Sequence, residues 1–210
     1  MKTELVVVRH GETVWNREAR IQGYRDSALT ATGIDQAQAL AVRLADESFS
    51  ALLSSDLGRA EHTARLIGAR SGHAVLVKPA LRERNYGVLE GLTRDEFLIG
   101  HAEAAERHNS RDADYVIPGG ESQRQFLARI VASFDALADE FAGQRIVVVS
   151  HGGVLTAFHR HVSGLPIDGP RASPLPNASY NVFVRQKQQW AVVRWGDTAH
   201  LDEQDVYGEV

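Results

Sequence analysis

Two histidines, each at the end of an apolar segment, are the residues best placed to do chemistry in this chain of 210 residues. Residues 5–8 run into Arg9 and His10, and residues 145–149 run into Ser150 and then His151, with a glycine after each histidine. Short β-branched runs of this kind predict buried strands of a parallel sheet, and the carboxyl ends of such strands share one edge. The two imidazoles are therefore expected to lie together at that edge.

Arginines and a carboxylate are expected at the same edge. Arg59 falls in the first turn of a predicted helix, where a cation is mildly unfavourable unless an anion binds nearby. The charges of Arg9 and Arg59 favour the neutral, nucleophilic form of His10. Glu83, just past another predicted strand, can give a proton to a leaving group. This combination suits phosphoryl transfer, in which arginines neutralise the phosphate charge.

Plainer interpretations of these residues stay open at this point. Arg59 could be a solvated surface arginine, and Glu83 could form a salt bridge with a neighbouring arginine, Arg82 or Arg84. Glu12 competes with Glu83 for the role of acid, although its place beside the glycine also suits a structural hydrogen bond.

Metal and serine chemistry fit the sequence less well. There is no cysteine, which excludes disulfides and thiolate ligands and fits a reducing compartment. No His-Glu-x-x-His motif occurs, and His159 and His161 would point to different faces of a helix. A serine nucleophile lacks its Gly-x-Ser-x-Gly turn. We therefore expect no metal and no other cofactor.

Composition sets the broad class. Hydrophobic residues make up 43% and charged residues 24%, as in ordinary soluble globular proteins. The net charge of -4 argues against a general nucleic-acid binder, and no apolar run resembles a signal peptide or a membrane span. We expect a cytoplasmic protein that binds a small phosphorylated metabolite and neither nucleic acid nor membrane; a homodimer stays open.

The pattern of apolar residues predicts an α/β fold with a mainly parallel sheet and an antiparallel edge. Strands are expected at 5–8, 51–54, 74–77 and 145–149, with a hairpin at 179–184 and 190–195. Helices are expected at 30–45, at 57–69 with Ser55 or Asp56 as N-cap, at 121–141 and at 152–163. Residues 9–29 read as a long loop. One domain over 1–210 carries a lid insertion at about 84–120, with a weak helix near 94–107.

Four motifs resemble those of the histidine phosphatase superfamily, in its phosphoglycerate mutase-like branch. Residues 9–13, followed by Asn16, Gln22 and Gly23, are similar to its first motif. The later motifs are matched in order by residues 54–60, 81–91 and 150–153, so that the resemblance extends to about residue 202. It implies a three-layer α/β/α sandwich that works without a metal.

The resemblance also implies roles for individual residues. His10 would be the nucleophile that becomes phosphohistidine, and Glu83 would be the proton donor and later the base for water. Arg9, Arg59 and His151 would hold the phosphoryl group during transfer. The residues that would contact the phosphate or the rest of the substrate are Asn16, Gln22, Gly23, Tyr86, Gly152 and Asn177. Candidates for specificity in the lid are Tyr86, Arg94, Phe97, Arg107 and Arg111.

The short lid decides between two activities. Mutases of the family have a longer lid and two adjacent arginines, whereas Arg107 and Arg111 are separated here. The resemblance therefore favours a phosphatase acting on phosphomonoesters. A bisphosphoglycerate-dependent phosphoglycerate mutase is the alternative, because residues 84–87 are partly mutase-like. A non-catalytic phospho-ligand module would be expected to have lost His10 or Glu83, and both are present.

Overall fold

A six-stranded sheet between helices organises the chain, which the computed structural model describes over residues 1–110, 112–169 and 175–202. The strands are β1 (Lys2–Arg9), β2 (Leu52–Ser54), β3 (Val75–Val77), β4 (Arg145–Ser150), β5 (Tyr180–Gln186) and β6 (Gln189–Asp197). The helices are α1 (Val14–Arg17), α2 (Ala31–Ala45), α3 (Gly58–Ser71), α4 (Arg94–Gly100), α5 (Ala102–Asn109), α6 (Gln123–Glu140) and α7 (Gly152–Val162). Short 3-10 turns lie at Pro79–Leu81 and Gly87–Leu89.

The strand order is β3-β2-β4-β1-β5-β6. The first four strands are parallel, while β5 runs antiparallel to both β1 and β6. The predicted mainly parallel sheet with an antiparallel edge is thus confirmed. β1 and β4 are direct neighbours, and their register sets Arg9 opposite Ser150. The histidines that follow these two residues therefore leave the sheet side by side.

Alternating side chains of the central strands build a separate core on each face of the sheet. Leu5 and Val7 of β1 pack in a buried cluster with residues of α6 and α7, whereas Val6 and Val8 pack with residues of α2 and α3. This follows from the two-residue period of a strand, which sends successive side chains to opposite faces. Since both faces are covered by helices, the predicted three-layer α/β/α sandwich is confirmed.

The two segments expected to have the least regular structure contain more of it than predicted. The loop at 9–29 holds α1, whose start is fixed by a reciprocal capping box between Thr13 and Asn16. The single helix expected near 94–107 is two helices that meet at His101, whose backbone (φ -141°, ψ 52°) is not helical. Leu89, Phe97 and other apolar residues give this region a small core of its own. The function of residues 84–120 as a lid stays a prediction.

The start of α3 is capped differently from the expectation. Its N-cap residue is Leu57, which makes no capping hydrogen bond through its side chain. Asp56 instead pairs with Arg82 through a 2.7 Å bond between Oδ1 and Nε. The carboxylate of Asp26, distant in sequence, accepts the Arg59 N–H at 3.2 Å. Asp26 therefore caps this helix in place of Ser55 or Asp56, and the Ser55 hydroxyl accepts the N–H of Leu57 instead, at 3.3 Å.

The turn after His10 packs directly on the start of α2. A Cβ atom on Gly11 would lie 2.2 Å from the Gly33 carbonyl oxygen, and one on Gly33 would lie 2.0 Å from the Glu12 carbonyl oxygen. No side chain fits between these backbones. Both glycines are needed for the chain to turn at this point and hold His10 against the sheet.

We expect Gly33→Ala to lower the free energy of unfolding by about 2 kcal/mol or more, because an atom forced into a packed contact displaces backbone. Urea denaturation followed by circular dichroism measures this change. Gly100→Ala is the matched control, since no atom lies within 4 Å of the Cβ that it adds. Equal stability of the two variants would contradict this account.

Candidate active site

A cavity of about 740 Å³ opens where β1, β3 and β4 end. Its wall is rich in arginine and has few carboxylates, so it is electropositive and suited to an anion. The arginines that line it are Arg9, Arg20, Arg59, Arg84, Arg94 and Arg160, against the acids Glu83 and Asp168. Residues predicted from separate parts of the sequence thus border one space.

His10 is buried in the wall of the cavity, and its surroundings fix its ring and its tautomer. Its Nδ1 lies 2.8 Å from the carbonyl oxygen of Gly11, a group that only accepts hydrogen bonds. Nδ1 therefore carries the proton, which leaves the lone pair on Nε2. The backbone of His10 is held by its N–H, which donates to the Ser150 carbonyl at 3.0 Å.

The neutral state of His10 has a stronger cause than the sequence indicated. Burial is the largest effect that lowers the pKa of His10 well below 6.5, and the charges of Arg59 and Arg9 lower it further. The arginines were expected to favour the neutral form, and they do. The dominant contribution nevertheless comes from loss of hydration, which depends on the fold.

His151 lies beside His10 and is completely buried. The two ring centroids are 5.3 Å apart, with the ring planes at 60°. Burial, followed by the charge of Arg59, lowers the pKa of His151 well below 6.5. Within the described residues neither ring nitrogen of His151 has a hydrogen-bond partner. Such unpaired buried groups are rare and need an explanation, and a bound oxyanion would supply one.

Arg59 is an interior residue and not a solvated surface arginine. Its guanidinium donates from Nη1 to Asp26 Oδ1 at 2.9 Å and from Nη2 to the Gly23 carbonyl at 2.8 Å. Asp26 therefore balances part of its charge and fixes its orientation. Within the described residues the buried Nε has no hydrogen-bond partner.

Backbone N–H groups hold Glu83, and no described lysine or arginine forms a salt bridge with it. Its Oε1 accepts the N–H of Arg84, and its Oε2 accepts the N–H of Gly153, each at 2.8 Å. A Cβ atom on Gly153 would lie 2.1 Å from Oε1, so only glycine allows this approach. The salt bridges considered for Glu83 are not formed: Arg82 pairs with Asp56, and Arg84 donates to the Glu121 carbonyl.

Glu12, the competing acid, lies outside the cavity wall. It is buried, and its Oε1 accepts hydrogen bonds from Thr30 Oγ1 at 2.6 Å and from Arg17 Nη2 at 2.8 Å. Its backbone N–H donates to Gln36 at 2.9 Å. These contacts tie the turn after His10 to α1 and α2, which is the structural role considered for Glu12.

The structure places most of the predicted substrate contacts on the cavity. The residues among them that line it are Asn16, Gln22, Gly23, Tyr86 and Gly152. Asn177 does not line it, contrary to the expectation. Its side-chain N–H₂ donates instead to the His10 carbonyl at 3.0 Å and to Asn16 Oδ1 at 3.2 Å. Asn177 therefore supports the backbone of His10.

Candidates for specificity divide in the same way. Tyr86 and Arg94 line the cavity. Phe97 is buried in the small core of the 84–120 region, and Arg107 pairs with Asp112 at 2.6 Å on the surface. Arg111 lies outside the described residues.

Several cavity residues had no signal in the sequence. His108 stands edge-on to Tyr86, with centroids 5.8 Å apart, and burial followed by the charge of Arg84 lowers its pKa. Gln123, the first residue of α6, also borders the cavity. A single histidine or glutamine without a motif gives no sign in the sequence that it will border the cavity.

The geometry agrees with a family match over nearly the whole chain. The model of the histidine phosphatase superfamily (branch 1) matches residues 5–198. The chain belongs to this superfamily. The resemblance seen in the four motifs is thereby confirmed.

Members of the histidine phosphatase superfamily that resemble this chain carry both kinds of name. Phosphoglycerate mutase-like protein 4 of Arabidopsis thaliana is 40% identical over 204 residues, covering 95% of this chain and 87% of that protein. The metal-independent phosphoserine phosphatase of Arabidopsis thaliana is 40% identical over 202 residues, covering 95% and 83%. The structure of Bacillus stearothermophilus YhfR superposes with a TM-score of 0.88 at 29% identity, covering 94% and 98%.

Two features are absent from the residues that the structure describes. Among them, no group of three histidine, aspartate or glutamate side chains is arranged to hold a metal ion. No helix in the same ranges is long and apolar enough to cross a membrane.

We expect the stability of the protein to fall as the pH drops below about 6.5. The pKa of His151 is well below 6.5 in the folded state and near 6.5 in the unfolded chain. The unfolded state therefore binds more protons in this range, so the free energy of unfolding decreases as the pH falls. His151→Gln should reduce this slope by roughly 1.4 kcal/mol per pH unit. Urea denaturation at several pH values in phosphate-free buffer measures the slope.

Replacement of exposed His62 by glutamine is the control for this experiment. That variant should keep the slope of the unaltered protein. An unchanged slope in His151→Gln would show that the buried ring does not control the acid sensitivity.

Proposed function

We propose that this chain is a metal-independent phosphatase that hydrolyses phosphomonoesters through a phosphohistidine intermediate on His10. The observation that carries the proposal is the state of that ring. It is buried and neutral, its Nδ1 is bound to the Gly11 carbonyl, and it lines an arginine-rich cavity. An imidazole in this state has one free lone pair, on Nε2, and is a nucleophile without further activation.

The first half of the reaction transfers the phosphoryl group. His10 Nε2 attacks phosphorus as the bond from phosphorus to the ester oxygen breaks. The departing oxygen needs a proton, and Glu83, one of the two acids that line the cavity, is the group that we propose supplies it. The alcohol then leaves with that proton.

The second half returns the enzyme to its starting state. Glu83, now a carboxylate, takes a proton from water, and the hydroxide attacks the phosphorus of phosphohistidine. The bond between phosphorus and Nε2 breaks, and inorganic phosphate leaves. The two hydrogen bonds from backbone N–H groups hold the Glu83 carboxylate in place for this step.

Charge on the transferred group is neutralised by fixed cations and N–H donors. Arg9 and Arg59 border the cavity beside His10. A neutral His151 has one ring N–H that no described residue accepts, and a phosphoryl oxygen could accept it. The start of α7 also borders the cavity at Gly152, and the N–H groups in the first turn of a helix are available to bind an anion. These groups supply the positioning and neutralisation that phosphoryl transfer requires.

The substrate that we propose is a small phosphorylated metabolite. The part of it beyond the phosphate would contact a cavity wall of charged, polar and aromatic side chains. That wall includes Arg84, Tyr86, Arg94, His108 and Gln123. O-phosphoserine is the first compound to test, because one relative at 40% identity is named a phosphoserine phosphatase. The cytoplasmic location and the homodimer considered from the sequence stay predictions.

A phosphoglycerate mutase is the second candidate. Arg84 and Arg94 lie on the cavity and could bind the carboxylate of phosphoglycerate, and another relative is named mutase-like. Incubation of 3-phosphoglycerate with catalytic bisphosphoglycerate distinguishes the two. Formation of 2-phosphoglycerate faster than inorganic phosphate would favour the mutase.

We expect turnover of phosphomonoesters, including O-phosphoserine, to persist in excess chelator and to fail in His10→Ala. Loss of the nucleophile should lower kcat/KM at least about a thousandfold, because the covalent route is removed. Rapid acid-free quenching with labelled substrate should trap phosphate on the unaltered protein in an acid-labile, base-stable form. Release of phosphate is followed with a colorimetric assay.

His62→Ala is the control, since it removes an exposed histidine of α3 that does not line the main cavity. Its activity should equal that of the unaltered protein. Activity that survives His10→Ala, or that chelation abolishes, would exclude the proposed mechanism.

A further inference from the structure

The backbone around Glu83 has little regular structure to hold it. Residues 82–86 lie between the 3-10 turns Pro79–Leu81 and Gly87–Leu89, beyond the end of β3. Carbonyl groups in such a segment need partners from elsewhere in the protein. The position of the Glu83 carboxylate therefore depends on whatever binds this backbone.

The side chain of Arg129 in α6 binds three backbone carbonyls here, two in this segment and one in the 3-10 turn before it. Its Nη1 donates to the carbonyls of Ala80 at 3.0 Å and Arg82 at 2.9 Å, and its Nη2 donates to the carbonyl of Glu83 at 3.1 Å. A guanidinium can do this because its donors form a rigid planar fork. The backbone before and at Glu83 is thus fixed to a long, well-packed helix.

Glu121 extends the same support to the other side of Glu83. Its Oε1 accepts Nη2 of Arg129 at 2.6 Å and also accepts the backbone N–H of Asn85 at 2.9 Å. Its carbonyl oxygen accepts Nη2 of Arg84 at 3.1 Å. The ion pair of Arg129 and Glu121 therefore links the two halves of the segment.

We propose that Arg129, paired with Glu121, is a positioning residue for the general acid of the reaction. It fixes the backbone on both sides of Glu83 and so holds the carboxylate where it can protonate the leaving oxygen. Arg129 does not line the cavity and its contacts with Glu83 are to the backbone, so it acts through Glu83. This inference rests on the proposed role of Glu83 as proton donor.

The test compares two substrates that differ in their need for a proton. Nitrophenolate leaves p-nitrophenyl phosphate without protonation, whereas the alkoxide of glycerol phosphate needs the proton from Glu83. In Arg129→Met, which keeps an apolar stem beside Phe126, kcat/KM for glycerol phosphate should fall at least about tenfold further than for p-nitrophenyl phosphate. This ratio covers the steps up to release of the alcohol, so hydrolysis of phosphohistidine does not affect it.

Glu83→Gln shows what loss of the proton donor itself does to the two substrates. Its kcat/KM for glycerol phosphate should fall about a hundredfold or more, and that for p-nitrophenyl phosphate should fall much less. Arg124→Met is the matched control, because Arg124 lies on the same helix but pairs with Asp114. That variant should match the unaltered protein on both substrates.

The results distinguish a failure of the role proposed for Glu83 from a failure of the role proposed for Arg129. If Glu83→Gln shows no preference between the substrates, the role of Glu83 fails. If Glu83→Gln shows the preference but Arg129→Met loses both activities equally, or neither, the role of Arg129 is overturned. Should Arg129→Met not fold, Arg129→Lys decides by the same ratio: a single ammonium cannot reach three carbonyls, so the preference should reappear in weaker form.

Discussion

The parallel pairing of β1 with β4 is the constraint on which the site depends. Backbone hydrogen bonds hold these strands in a register that sets Arg9 opposite Ser150, and the next residue of each strand is a histidine. The same pattern continues one step further, because the His10 N–H donates to the Ser150 carbonyl. The 5.3 Å separation of the two rings is therefore a property of the sheet. Loops and helices determine only what surrounds the pair.

Burial of this pair sets the charge of the whole pocket. Two imidazoles deep in the protein are kept neutral by lost hydration and by nearby arginines. The arginines stay charged, and Arg59 does so with Asp26 as its partner. The protein thus concentrates positive charge in groups that cannot lose a proton and leaves the nucleophile uncharged. A phosphate dianion would meet cations that are already in position, so little reorganisation accompanies its binding.

The sequence was sufficient for features that depend on local pattern. Strands with a continuous apolar run and helices with a clear period, such as α2 and α6, lie within a few residues of their predicted bounds. Motif residues such as His10 and Glu83 were found because glycines and strand ends mark them. What the sequence did not reveal depends on chain segments far apart meeting in space. Asp26 caps a helix that it does not precede, and His108 reaches the cavity only through the fold of residues 84–120.

Asn177 and Arg129 are two more residues whose roles the sequence could not reveal. Each acts on the backbone of a motif residue, through the carbonyls of His10 and Glu83 respectively. Every residue has a backbone carbonyl, whatever its side chain. Residue types and their spacing therefore cannot predict which carbonyl a side chain will bind. The family resemblance implied that Asn177 contacts substrate, and no pattern in the sequence singled out Arg129.

Hydrogen bonds between Asn85 and Glu121 join the two ends of a long excursion of the chain, residues 86–120. Asn85 gives its N–H to the Glu121 side chain, and its carbonyl accepts the Glu121 N–H at 3.0 Å. Residues 86–120 therefore leave and re-enter the fold at one point, just beyond Glu83. Residues within this excursion can therefore change without moving Glu83, because the hydrogen bonds between Asn85 and Glu121 fix the chain at both ends of it. Tyr86, Arg94 and His108 lie in this excursion and line the cavity, so substitutions there would reshape the wall that meets the substrate and leave Glu83 in place.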